Sequence, residues 1–402
     1  MLCGAGVLYK FFEYCEEKGL FPKGRIDNYI DLVAFTCISD MMQMTTLENR
    51  YICDYGLSHI KNPFFKSLLE KQSYSLGEGP LTQIGVAFYI TPLINALIRV
   101  GSPIEKERLF EAFINPNLEV PSTKRGEKGQ YETICEQSVR NCVNAKAKQN
   151  RLKDKALELL DIQIMENCLE DNKILILNAD DLDVPTTITG LCAMGVAAKY
   201  KKPVLLGRTN KEGIMRGSAR GREDSELQNL RQFLLDTNLM EFAEGHPLAH
   251  GWGMKASNVS KLTAYCNEKL KDVNFNEGFY EADFIVSGNY SELGNLIKDL
   301  DKGKSYFGQG NKEPLIIIEN ITIPVSKINI IGKNLDTLRF EFNDITYIKF
   351  KATSLIEEIK NKTGNLNITV AGRGNINSWG GYNKPQILID EIEIKESSIY
   401  DF

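Results

Sequence analysis

Two short segments hold the residues best suited to phosphate chemistry. Gly213-Ile214-Met215-Arg216-Gly217-Ser218-Ala219-Arg220-Gly221-Arg222 offers small residues, a hydroxyl and closely spaced arginines. Glu244-Gly245-His246-Pro247-Leu248-Ala249-His250-Gly251-Trp252-Gly253 holds two of the three histidines. A backbone with few side chains lets a phosphate come close, and a helix start behind it adds N–H donors and a favourable dipole. Both segments follow strand-like runs and precede helix-like runs, so they read as two glycine-rich turns facing one anion. Ser218 and Arg220 lie two apart in a strand-like run and share a face. A hydroxyl beside a guanidinium fork suits a terminal phosphate. The plainer alternative is a tight turn with a solvated arginine. His246 beside Pro247 fits a phosphate contact or a satisfied core histidine. His250 is open between the same two roles, and His59 reads as structural.

The remaining candidates are scattered. Asp40 ends an apolar helix before Met41-Met42, where an acid can cap the helix, pair with an arginine or ligate a metal. Arg99 ends the apolar run 81–101 and can snorkel or meet phosphate. Trp379, among glycines and asparagines, can stack on a base or plug a barrel. Arg222, Lys199, Lys201 and Lys202 read as a solvated face with capacity for salt-dependent backbone contacts.

The elements that must position these residues change character along the chain. Residues 4–115 read as helices, with Asp27 and Asn62-Pro63 as helix starts. Residues 116–130 read as a loop. Residues 131–169 read as one long polar helix, a connector between domains. From 173 to 264 strands alternate with helices, which is the pattern of an α/β layer fold. From about 281 short strands dominate, with one helix at Ala352 to Lys360. That pattern points to a small β-barrel, with an OB-fold as the leading candidate.

At 402 residues the chain has room for two or three cores. A net charge of −5 advertises no global affinity for nucleic acid, though a local basic groove suffices for it. The nine cysteines form no CxxC pair and read as reduced thiols of a cytoplasmic protein. No apolar run is expected to be long enough to cross a membrane. The chain opens directly on an apolar helical stripe, Val7, Leu8, Phe11, Phe12 and Cys15. That reads as the middle of a domain, cut at its start.

Several short motifs, in order along nearly the whole chain, resemble the RecJ family of single-strand-specific exonucleases in the DHH phosphoesterase superfamily. Leu2-Cys3-Gly4-Ala5-Gly6-Val7 is similar to the family's L-[SC]-G-x-G-V helix. Asp31 to Asp40 resembles its DLVALGTxAD segment, and Glu48-Asn49-Arg50 its ENR. Pro92 to Arg99 resembles PRINAAGR, Gly217 to Arg220 matches GSAR, and Gly245 to Gly251 is similar to GGHxxAAG. Phe307 to Asn311 and Asn377 to Gly381 resemble FGxGN and N-x-W-x-G. Each is weak alone; together, in the right order, they are specific.

The resemblance implies an α/β protein in four parts. Residues 1–115 would be the helical remainder of a DHH catalytic domain, and 116–170 a loop and connector helix. Residues 171–280 would be the DHH-associated substrate domain, and 281–402 an OB-fold β-barrel. It implies metal-dependent hydrolysis of single-stranded DNA in the 5′ to 3′ direction, with Mn²⁺ or Mg²⁺. Asp40 would be a catalytic metal ligand. Arg99, Ser218, Arg220 and His246 would hold phosphate, with His246 also acting in catalysis, and Trp379 would stack on a base. The Asp-His-His motif is missing, Leu93 and Glu244 replace an arginine and a glycine, and Val184-Pro185-Thr186-Thr187 stands where W-H-x-G is usual. One aspartate cannot hold two metal ions. The chain alone is therefore expected to be incomplete or inactive, with a separate N-terminal DHH polypeptide as a candidate partner. Two alternatives stand beside this: a non-catalytic single-strand-binding protein or half of a split nuclease, and a small-nucleotide phosphodiesterase.

Overall fold

The computed structural model describes residues 2–127, 129–275, 281–378 and 383–395. Trp379 and its expected stacking role lie outside them. The chain forms two compact units: Met1–Pro92 with Phe113–Pro116 and Glu281–Phe402, and Leu93–Ala112 with Asn117–Tyr280.

The N-terminal part of the first unit is helical: α1 (Gly4–Glu17), α2 (Ile30–Ser39), α3 (Leu47–Ser58) and α4 (Pro63–Lys71), then the short α5 (Ser73–Leu76) and α6 (Gln83–Gly85). α4 starts as expected. Asn62 Oδ1 accepts from the Phe65 N–H at 3.0 Å, Pro63 fills the first turn, and Phe64, Phe65 and Leu68 are buried. Asp27 does not cap a helix; it accepts the Tyr9 hydroxyl at 3.0 Å. The buried acid is Asp31, which takes the backbone N–H groups of Lys61 and Asn62, each at 2.7 Å.

A π-helical turn, Val86–Ile90, leads into α7 (Thr91–Val100), which carries the chain into the second unit. Contrary to the sequence expectation, the run Gln83–Val100 is long and apolar enough for a membrane span by length and composition alone. Its 18 residues have a mean hydropathy of 1.4, and 44% of them are buried inside the fold. Val86, Ile90, Ala96 and Leu97 are fully buried, whereas Phe88, Tyr89 and Ile98 of the same run are exposed.

In the second unit, α8 (Pro103–Ile114) precedes a short hairpin, β1 (Glu119–Pro121) with β2 (Tyr131–Thr133), inside the expected loop. The long helix is present as α9 (Ile134–Glu166), 33 residues, opened by a Thr133–Glu136 capping box. Then come β3 (Leu175–Asn178), α10 (Thr189–Tyr200), β4 (Val204–Thr209), β5 (Ile214–Arg220), α11 (Leu230–Leu235), β6 (Met240–His246), β7 (Ala249–Lys255) and α12 (Val259–Lys269). They build a five-stranded sheet in the order β3-β4-β5-β7-β6, parallel only between β3 and β4. Ala219, Trp252 and Met254 pack on one face against Leu230, Leu234 and Leu262 of α11 and α12. α10 covers β4 and β5 on the other face, where Gly190 meets Ser218 and Arg220.

The first unit resumes with β8 (Phe284–Ser287), α13 (Leu293–Lys302), β9 (Ile316–Pro324), β10 (Asn329–Ile331), β11 (Thr337–Phe342), β12 (Ile345–Lys349), α14 (Thr353–Lys360), β13 (Asn365–Asn377) and β14 (Lys384–Lys395). One seven-stranded sheet, β10-β11-β12-β14-β13-β9-β8, wraps Ile316, Ile318, Phe340, Tyr347 and Val370 around Leu293 and Ile297 of α13 and Ile356 of α14. The described residues hold seven strands and two helices here, against the five or so strands and one helix expected. The Phe307 to Asn311 motif is a packing clasp: Gln309 O accepts the Met44 N–H at 2.7 Å, and Ser305 O accepts Gln83 Nε2 at 3.2 Å. A Cβ on Gly308 would stand 2.5 Å from Gln83 Oε1, so this close approach needs glycine.

Candidate functional site

The two supposed glycine-rich turns are strands. Gly217 to Arg220 lies within β5, and Glu244 to Gly253 forms the end of β6 and most of β7, joined at Pro247-Leu248. The reason is steric. A Cβ on Gly217 would collide with Leu206 O, and one on Gly207 would stand 2.8 Å from the Trp252 ring. These glycines admit close sheet packing; they do not open a loop for phosphate.

The register nevertheless gathers the candidates on one face. In antiparallel sheets directly paired residues point the same way. One row pairs Arg220 of β5 with Ala249 of β7 and His246 of β6. The next pairs Ser218, Gly251 and Glu244, and the third Arg216, Gly253 and Phe242. Along these three rows the middle strand offers Ala249, Gly251 and Gly253 to this face, a low floor between two walls, with Lys255 in the next row beyond Gly253. With strands about 4.8 Å apart and rows about 7 Å apart, the walls stand about 10 Å apart along a groove about 13 Å long. One wall is Arg216, Ser218 and Arg220; the other is Phe242, Glu244 and His246.

Further groups converge beside Ser218 and Arg220. A Cβ on Gly190, in the first turn of α10, would collide with Arg220 Nη2 and stand 3.4 Å from Ser218 Oγ. The start of α10 therefore sits directly against both side chains. Thr187, just before that helix, donates its hydroxyl to the Arg99 carbonyl at 2.8 Å, and Lys148 Nζ donates to Val100 O at 3.2 Å. These bonds hold the end of α7 and so place Arg99. Burial, and then the Arg99 charge, lowers Arg220 below the ordinary arginine value. Burial, then Lys153 and Arg99, lowers Lys146 of α9 below the ordinary lysine value. No carboxylate pairs with Arg99, Arg220 or Lys146 among the described residues. Clustered like charges without a carboxylate partner among the described residues create a positive potential that attracts anions.

His246 is exposed at the mouth of the groove. His250 is buried on the opposite face, level with Ala219 and Gly245. Burial depresses its pKa; the His246 backbone opposes this, and the Arg220 and Arg231 charges add to it. Its place is thus on the sheet face opposite Ser218 and Arg220. Arg222 is taken up by Asp224, and Lys199 by Asp161. His59 stacks on Tyr55 at 4.1 Å, in a structural setting.

Asp40 lies in the other unit, at the C-cap of α2, exposed, with Met41 next to it at φ 54°. Among the described residues no group of three or more His, Cys, Asp or Glu side chains could hold a metal ion. The donors present therefore do not fit the metal centre that the family implies. No sequence signal marked Lys146, Gly190 or Phe242, and Thr187 and Arg216 stood out only as members of longer motifs. The readable signal was the alternation Ala249-His250-Gly251-Trp252-Gly253-Met254, small residues against large with a period of two.

These features define an α/β protein whose C-terminal part is a seven-stranded sheet packed on two helices. The RecJ OB domain family matches residues 291–391. The fold is shared with crystal structures of RecJ from Thermus thermophilus in complex with Mn²⁺ and with Mg²⁺, with TM-scores of 0.69 and 0.65 at 18% identity. Each match covers 98% of this chain, and 53% and 56% of those chains. YorK, named as an SPbeta prophage-derived single-strand DNA-specific exonuclease of Bacillus subtilis (strain 168), is 38% identical over 399 residues. That match covers 98% of this chain and 68% of YorK. The single-stranded-DNA-specific exonuclease RecJ of the same organism is 25% identical over 418 residues, covering 100% of this chain and 48% of RecJ. The chain belongs to the RecJ-like single-strand-DNA-specific exonuclease family. It spans about two thirds of the YorK length and about half of the RecJ length.

Proposed function

We propose that this chain is the substrate-holding portion of a RecJ-like nuclease that hydrolyses single-stranded DNA from its 5′ end. Ser218, Arg220 and Arg99 bind a backbone phosphate, Lys146 adds charge, and His246 contacts the strand at the groove mouth. The observation that carries this reading is the cluster of Arg99, Arg220 and Lys146. The Arg99 charge adds to the depression of the other two, and no carboxylate among the described residues relieves it beside a groove floored by alanine and glycine. A phosphate neutralises that cluster and takes the Ser218 hydroxyl and the guanidinium fork together. Residues 281–402 guide the strand as an OB-fold, and 171–280 act as the DHH-associated domain.

Cleavage needs Mn²⁺ or Mg²⁺ held by more than Asp40, so we assign the further ligands to a DHH segment carrying its own carboxylates, such as a separate polypeptide. The chain by itself is a single-strand binder. The test is fluorescence anisotropy with a 5′-phosphorylated oligonucleotide at low salt. Ser218→Ala with Arg220→Ala should weaken binding about thirtyfold. It should also flatten the salt dependence, by about 0.7 in log–log slope for each phosphate no longer neutralised. Unchanged binding in a folded variant overturns the assignment.

A further inference from the structure

We infer that Phe242 and Arg216 form a base-stacking platform at the far end of the groove, one nucleotide's reach from the phosphate position. This rests on the phosphate reading above and extends it to the base.

The placement comes from an irregularity. The β6–β7 register shifts between Met240 and Phe242, and it is Phe242 that then faces Gly253. A Cβ on Gly253 would collide with Phe242 Cε1 and stand 3.0 Å from Cδ1 and Cζ. The ring therefore occupies the space above Gly253, and at this end an aromatic ring replaces the bare floor. One row away, a Cβ on Gly251 would meet nothing nearer than 3.8 Å, so the floor there is open. The Arg216 guanidinium carbon stands 5.8 Å from the Phe242 ring centroid, and Arg216 is exposed. An aromatic ring and a guanidinium plane together hold a base without regard to its identity, because every base has a π-face.

Charge sets the orientation of the strand. The β5 wall, Arg216-Ser218-Arg220, is cationic and hydroxylic and suits the phosphate backbone. The β6 wall carries Glu244 in its middle row, which repels a phosphate there. The backbone follows β5, and the base crosses the low floor towards β6, onto Phe242. Glu244 stands beside that path as an acceptor for base amino groups.

The plainer account is a cross-strand cation–aromatic pair that only stabilises the sheet. Matched 5′-phosphorylated oligonucleotides, one intact and one abasic at its first two positions, separate the two accounts. Phe242→Leu should weaken binding of the intact strand about tenfold and of the abasic strand less than twofold. Phe242→Tyr should restore the intact-strand affinity, and Arg216→Ala should lower it about threefold. Ser218→Ala with Arg220→Ala should weaken both strands equally, so failure of the phosphate reading shows separately from failure of this one. Equal loss on both strands from Phe242→Leu, or no loss on either, overturns the platform. Melting curves of the Tyr and Ala variants keep the test decisive if the Leu variant does not fold.

Discussion

Glycine does opposite work in the two sheets. In the seven-stranded sheet, a Cβ on Gly374 of β13 would stand 2.9 Å from Ile297 of α13. Its absence lets the helix close onto the strands and seal the core. In the five-stranded sheet, a Cβ on Gly251 of β7 would face nothing nearer than 3.8 Å. The bare backbone there leaves free space directly above the strand. The charges differ in the same sense. Arg373, next to Gly374, is spoken for by Asp390, whereas Arg99, Arg220 and Lys146 have no carboxylate partner among the described residues. A covered glycine beside a neutralised arginine is architecture. An open glycine beside cations without a carboxylate partner leaves room and positive potential that an anion can use.

The sharpest way to break this contrast is to fill both glycines. Gly374→Leu should destabilise the fold by about 3 kcal/mol through overpacking against α13, measured by denaturant midpoint. Gly251→Ala should change stability by less than about 0.5 kcal/mol, as a substitution into open space. Similar losses at the two positions would mean that the groove floor is covered after all.

The charge side gives the next largest effect. Ser218→Ala with Arg220→Ala should cost about 2 kcal/mol of single-strand binding, equivalent to about thirtyfold in affinity. Arg373→Ala with Asp390→Ala should leave binding within about twofold, since that pair is already neutral. Comparable losses from both double variants would place the strand on the seven-stranded sheet as much as on the groove.

A bulkier side chain on the floor separates shape from charge. Gly251→Leu adds no charge and removes none, yet it fills the middle row between Ser218 and Glu244. It should weaken binding about tenfold, roughly 1.4 kcal/mol, while the thermal midpoint stays within a few degrees. Full affinity in that variant would show that the phosphate sits beside the groove and not across its floor.

How much of this could be read from the residues alone depends on the range of the signal. That Ser218 and Arg220 share a face follows from the period of two in any strand, and β5 obeys it. The same rule puts Arg216 on that face, but its partner Phe242 sits behind a register shift that no local pattern shows. β7 escapes a reading of the residues because Gly-Trp-Gly near a proline looks like a turn, while three alternating small residues are the true mark of a strand with one open face. The start of α9 is readable, since a capping box is a four-residue signal. The convergence of Arg99 from α7, Lys146 from α9 and Arg220 from β5 is not, because it depends on packing across distant parts of the chain. Asp40 illustrates the reverse: its motif is clear, but the described residues place it in no group of three or more side chains that could hold a metal ion.

The smallest expected effect lies behind the groove and reads its charge from the back. The His250 pKa is depressed below the usual histidine value, first by burial, then opposed by the His246 backbone, with Arg220 and Arg231 adding to the depression. Between that lowered value and about 6.5 the unfolded chain binds a proton that the folded chain refuses. The contribution to stability is therefore fully present above about pH 6.5 and is lost as the pH falls through the folded-state value. His250→Gln should flatten the fall in stability below about pH 6.5, followed by denaturant midpoints at several pH values. A bound phosphate neutralises part of the Arg220 charge, so single-stranded DNA should raise the His250 pKa towards the ordinary value, visible by NMR titration of the ring. A His250 titration that ignores saturating single strand would separate Arg220 from the bound phosphate and break the link between the two faces of the sheet.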